Sequence, residues 1–136
     1  WYNIIFAWNL GTGTGDWKAF VNGSKQTHGS GATHSSGGTW GSVANGANTL
    51  ILGSNNENRW GNMKMDEVAI FDDYISDSDA AALYNSGSPG DATEVDNLVA
   101  YWKFNEASGT SVEDSSSNSN TATFVNGTAF EQLTIS

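Results

Sequence analysis

The stretch MKMDEVAIFDDYISDSDAAALYNSG, residues 63–87, decides how this chain is read. Its first part, Met63 to Asp72, is apolar and strand-like, with Asp66 and Glu67 set in the middle. Its second part changes period. Ser76 stands as an N-cap with Asp79 three residues on, an acidic variant of the capping box, and Ile75 and Ala80 occupy the N′ and N4 positions of a hydrophobic staple. Asp77 and Asp79 fall in the first turn, where the helix dipole favours anions. Ala80, Leu83 and Tyr84 form one apolar stripe, and Gly87 with Pro89 marks the stop. The spacing predicts a strand followed by one short helix near 76–86 that covers an edge or face of a sheet.

Outward from that stretch the period is that of strands. Residues 1–9 (WYNIIFAWN) alternate, with Tyr2, Ile4, Phe6 and Trp8 on one side, and read as a buried strand. After the turn-like GTGTGD, residues 16–21 (DWKAFV) read as a second strand with Trp17, Ala19 and Val21 on one face. Asn22-Gly23 then supplies the dipeptide of a two-residue hairpin, because both positions tolerate positive φ. Residues 24–47 are a Gly/Ser-rich loop, and TLILGS (49–54) reads as a third strand. Downstream, residues 86–97 are a polar linker, LVAYWKF (98–104) a further strand, and FEQLTIS the last. The echo of FVNGS (20–24) in FVNGT (124–128) reads as two hairpins obeying one turn rule. Many short strands, one helix and Gly-rich connections predict an all-β, antiparallel β-sandwich.

Composition narrows the function classes. With 136 residues the chain is one domain by length, and its net charge of −10 offers nothing to displace counterions from phosphates, so nucleic acid is not an expected partner. A polybasic membrane contact is disfavoured for the same reason, and the longest apolar run, WYNIIFAWNL, is too short to span a bilayer. The chain has no Cys, which excludes disulfides and thiolate metal sites. Its acidic balance supplies oxygen ligands suited to a hard cation such as calcium. A start at Trp1, in mid-strand and without Met, reads as a piece of a longer polypeptide.

At this point the residues become familiar. DWKAFVNG, then LILGS, then the quoted stretch, resemble the closing half of a laminin-G-like, concanavalin A-like jelly roll, over residues 1–90. YWKFNEASGTSVEDSSSNSNTATFVNG (101–127) resembles the opening strand and loop of the same family, which would ordinarily come first. Residues 91–136 therefore read as linker and C-terminal strands completing the sandwich, or as the start of a next module. The aromatic-rich strands that the family carries between the two halves are missing. The favoured reading is a permuted module whose first strands lie upstream of Trp1.

The candidate sites are few. Asp66 and Glu67 are adjacent, so on a strand they point to opposite faces, and neither face offers a second acid at the spacing of two that a glycosidase of this fold would use. They read as loop anchors, with Asp66 an alternative calcium ligand. Asp114, Asn118 and Asn120 alternate carboxylate and amide oxygens in a Ser-rich loop, a donor set that suits calcium, although an Asx-turn loop bonded to its own backbone has the same composition. The resemblance implies that a loop of this kind can hold calcium beside the "DE" strand, which would bring Asp66 alongside. His28 and His34 share the Gly/Ser loop without a third ligand for zinc. Trp8, Trp17 and Trp102 lie on strand patterns and read as core, whereas Trp40 and Trp60 lie in polar loops. With Asn56 and Arg59 they make a candidate sugar platform, against packing or a protein interface as the plainer reading.

The expectation that follows is a non-catalytic laminin-G-like adhesion or assembly module of an extracellular, cell-surface or virion protein. Its partners would be other subunits or flanking domains of a larger polypeptide, and glycans. The alternative is a purely structural subunit of a capsid, tail or filament whose sheet is completed by neighbouring copies. A polysaccharide-active enzyme is disfavoured by the carboxylate spacing. This functional class rests on likeness of fold.

Overall fold

The computed structural model describes residues 1–9, 16–27, 50–55, 59–61 and 63–124, and at 8–9, 16–17, 54–55 and 59–60 it describes the backbone alone. Over these residues the chain is mostly strands in small antiparallel sheets, with one short helix. β1 (Ile4–Asn9) pairs with β2 (Asp16–Val21), which pairs with β3 (Ser24–Lys25). β4 (Ser54–Asn55) and β5 (Arg59–Trp60) form a second ladder. β6 (Val68–Phe71) pairs with β7 (Leu98–Trp102), and β8 (Ser111–Val112) with β9 (Ala122–Thr123). The helix α1 (Asp77–Tyr84) lies between β6 and β7 in the chain.

The local signals are met where they were strongest. Asn22 and Gly23 both take positive φ, 51° and 69°, as a two-residue hairpin of right-handed twist requires. Asn22 also extends the β1–β2 ladder, since its N–H donates to Asn3 O at 2.9 Å and its Oδ1 accepts from Asn3 N–H at 3.0 Å. At the start of α1 the Ser76 hydroxyl oxygen accepts from Asp79 N–H at 3.1 Å, and Ile75 and Ala80 are both buried. The helix stops earlier than Gly87: Asn85 takes the left-handed cap at φ 41°, and a 3₁₀ turn continues over Asn85–Gly87. Asn tolerates that conformation because its short polar side chain bonds locally.

Burial corrects the strand faces. One cluster joins Ala7, Phe20, Ile75 and Ala80, with Ile5, Phe71, Tyr74 and Val95 against it. The odd positions of β1 thus face the helix, while Tyr2 and Ile4 stand 76% and 72% exposed on the other side. In β2 it is Phe20 that is buried, together with most of the Lys18 stem, rather than the face of Ala19 and Val21. Lys18 is accommodated there because its ammonium reaches out to Asp77 at 3.1 Å and sits 4.4 Å from the Tyr74 ring centre. A second cluster joins Ala100, Trp102 and Val112, with Val68, Ile70, Phe104, Ala122 and Phe124 around it. β6 serves both clusters, Val68 and Ile70 on one side and Phe71 in the other.

Two strand expectations are also shortened. The run 50–52 carries no strand pairing and lies exposed, ladder formation beginning only at Ser54. The strand expected from Met63 begins at Val68, because Glu67 turns the backbone left-handed at φ 52°.

Candidate functional site

The two acids of the opening stretch are not equivalent. Glu67, at its left-handed turn, presents a carboxylate that accepts from the Tyr101 hydroxyl on β7. Tyr101 is buried, and burial together with the Glu67 carboxylate raises its hydroxyl far above the ordinary tyrosine range. Asp66 is exposed; partial desolvation raises its carboxyl, opposed by the Glu67 N–H. Just past the end of β7, Lys103 pairs with Asp91 at 3.0 Å and lies 5.0 Å from the Tyr101 ring centre. Asp91 is held down to about 2, first by the backbone N–H of Thr93 that it caps, then by the Thr93 hydroxyl and Lys103. The Glu67–Tyr101 pair has no signal in the sequence, since nothing local to residue 67 points to a phenol on another strand.

The Ser-rich loop is more tightly built than its composition suggests. Asp114 Oδ1 accepts from the N–H groups of Tyr101 and Ser116, each at 2.8 Å. Its Oδ2 accepts from the Ser116 hydroxyl at 2.8 Å and from Asn120 N–H at 2.7 Å. The amide nitrogens of Asn118 and Asn120 both donate to Val99 O at 2.9 Å, and the Ser116 hydroxyl reaches the same oxygen at 3.1 Å. Burial raises the Asp114 carboxyl, but the summed hydrogen bonds outweigh it and hold the group at about 2. Nearby, Glu106 caps the N–H of Glu113 at 2.9 Å rather than standing free in solvent.

The calcium expectation meets this geometry directly. Asp114 bridges to Trp102 on one edge of β7, whereas the strand that follows Asp66 pairs on the other edge, Val68 opposite Trp102. β7 therefore stands between the two aspartates. An ionised carboxylate offers about four lone-pair directions, and all four at Asp114 are directed at donors of its own loop and of β7. Among the described residues no group of three or more His, Asp or Glu side chains is placed to hold a metal ion. Asp114, Asn118 and Asn120 are thus bonded to protein groups on one edge of β7, and the strand that follows Asp66 lies on the other.

The sugar platform lies beyond what the structure describes. Trp40 and Asn56 fall outside the described residues, as do His28 and His34, and Arg59 and Trp60 are described only as the backbone of β5. What the structure does present is apolar surface. Besides Tyr2 and Ile4, Leu50, Ile51 and Met63 are exposed at 56%, 46% and 61%. No described helix is long and apolar enough to cross a membrane.

No family model, curated protein or solved structure matches this chain.

Proposed function

We propose that the chain is a non-catalytic assembly and adhesion module of the laminin-G-like, concanavalin A-like jelly-roll class, working in an extracellular or virion-surface protein. The observation that carries this is the outward apolar side of β1 and the residues leading into it, Ile4 in the strand and Tyr2 just before it, on a strand whose opposite face is already packed on α1. A sheet with apolar residues on both faces needs a second layer over each. The resemblance to one half of a sandwich supplies the reason for such a face, and subunits or flanking domains of the same assembly are the partners that would cover it. The β6–β7 ladder supports a single permuted unit, since it pairs the segment that resembles a module's end with the one that resembles its beginning.

The test is sedimentation velocity of the chain over a concentration series, with an Ile4→Asp variant beside it. Concentration-dependent association that Ile4→Asp abolishes supports assembly through this face. A wild-type chain that stays monomeric throughout, and shows a Trp fluorescence change with a glycan that Trp40→Ala or Trp60→Ala removes, replaces assembly by sugar binding.

A further inference from the structure

We propose that residues 114–120 form a metal-independent clasp that closes the outer edge of β7 against strand addition by a second copy of the chain. β7 gives one edge to β6. Its other edge would present backbone donors and acceptors to any strand that approached. Loop groups take those positions instead. Tyr101 N–H is bound by Asp114 Oδ1 at 2.8 Å, and Tyr101 O accepts from Ser115 N–H at 2.7 Å. Val99 O accepts from the side-chain amides of both Asn118 and Asn120, as many donors as a carbonyl oxygen has lone pairs. Trp102 fastens the loop from the core side, its indole N–H donating to Asn120 O at 2.8 Å.

The identity of the excluded partner follows from the edge itself. Residues 98–102, LVAYW, carry no charge and no Pro, and apart from the register shift of the β6–β7 ladder between Ile70 and Phe71 the strand has none of the devices by which an edge ordinarily repels its own copies. Antiparallel pairing of two such edges brings identical uncharged segments together. The clasp does the work that a charged edge does elsewhere, and it does so with side chains that bond the edge rather than with a cation. This inference stands apart from assembly through β1, which uses a different strand.

The experiment is amide hydrogen exchange, read at Tyr101 and along β6, combined with sedimentation velocity, on the wild-type chain and Asp114→Ala. In the wild type, slow exchange of Tyr101 N–H that is the same in calcium chloride and in EDTA is expected; protection lost in EDTA overturns metal independence. In Asp114→Ala, Tyr101 exchange rises about tenfold or more at low protein concentration. It then slows again as concentration rises, together with growth of species larger than those of the wild type. Tyr101 exchange that is unchanged, or fast at every concentration, overturns the proposal. Should β6 amides also lose protection in Asp114→Ala, the double variant Asn118→Ala/Asn120→Ala replaces it, since that variant keeps the Asp114–Tyr101 bond. New concentration-dependent species are then expected with β6 still protected, and a species distribution identical to wild type overturns the proposal.

Discussion

Two glycines show how a single added methyl group separates tolerance from damage. A Cβ at Gly90 would overlap the carbonyl oxygen of Ala82 in α1, where Gly90 N–H already donates to Leu83 O at 3.0 Å. A Cβ at Gly61 would approach the Met63 Cε just as closely, but Met63 is exposed and its side chain can swing away. Gly90→Ala is therefore expected to cost about 1–3 kcal/mol and Gly61→Ala less than ~0.5 kcal/mol, compared by urea denaturation. The Asp114 carboxyl carries a second residue-scale consequence. Its folded value of about 2 lies below the ordinary 3.8, so its stabilising contribution is complete above that ordinary value and is lost as pH falls toward 2. Because the loop is solvent-accessible, the contribution is discounted to about 1 kcal/mol. Unfolding midpoints measured between pH 5 and 2 are expected to fall for the wild type, and to fall by about that much less for Asp114→Asn.

At the scale of elements, α1 depends chiefly on its N-cap. Ser76→Ala removes the acceptor for Asp79 N–H and the donor to its carboxylate and is expected to cost about 1 kcal/mol, read as a lower thermal midpoint, with Ser76→Thr keeping most of it. The Lys18–Asp77 bridge is exposed on the Asp77 side and contributes less, despite its short distance. These elements also show what the sequence could reveal. The Asn22-Gly23 turn and the Ser76 cap are written in residues two or three apart, and both are found where the spacing placed them. Which face of β1 turns inward is not local information. Alternation separates Tyr2, Ile4 and Phe6 from Ile5 and Ala7, but the choice between the faces is made by α1, whose Ala80 leaves room for the small side. The Asp114 loop was legible as a set of polar ligands and illegible as a clasp, because its acceptors and donors on β7 lie some fifteen residues away in the chain. The Gly/Ser loop expected from residue 24 begins instead with β3 at Ser24–Lys25, while residues 28–47 and the C-terminal strand fall outside the described residues and the expectations placed on them stay expectations.

The described residues make two small apolar clusters rather than one, and β6 is the described strand with side chains in both. Small cores of this kind stabilise little by themselves, so their coupling decides whether the chain unfolds as one body. The strand's alternation sets that coupling: Val68 and Ile70 pack toward Trp102 and Val112, and Phe71 packs toward Phe20 and Ile75. Phe20 is 1% exposed, and Phe20→Ala is expected to lower the stability of its own cluster by about 3–5 kcal/mol. If β6 transmits only part of that loss, hydrogen exchange in Phe20→Ala accelerates fully in β1, β2 and α1 and less in β8 and β9. Val112, also 1% exposed, provides the reciprocal measurement, since Val112→Ala should loosen β7, β8 and β9 before α1. Equal acceleration at every amide in both variants would mean that four residues of β6 weld the clusters into a single cooperative unit. In that case the outward face of β1 is presented by a rigid body. Unequal acceleration places that face on a separately opening half, where a partner that covers it also stabilises it.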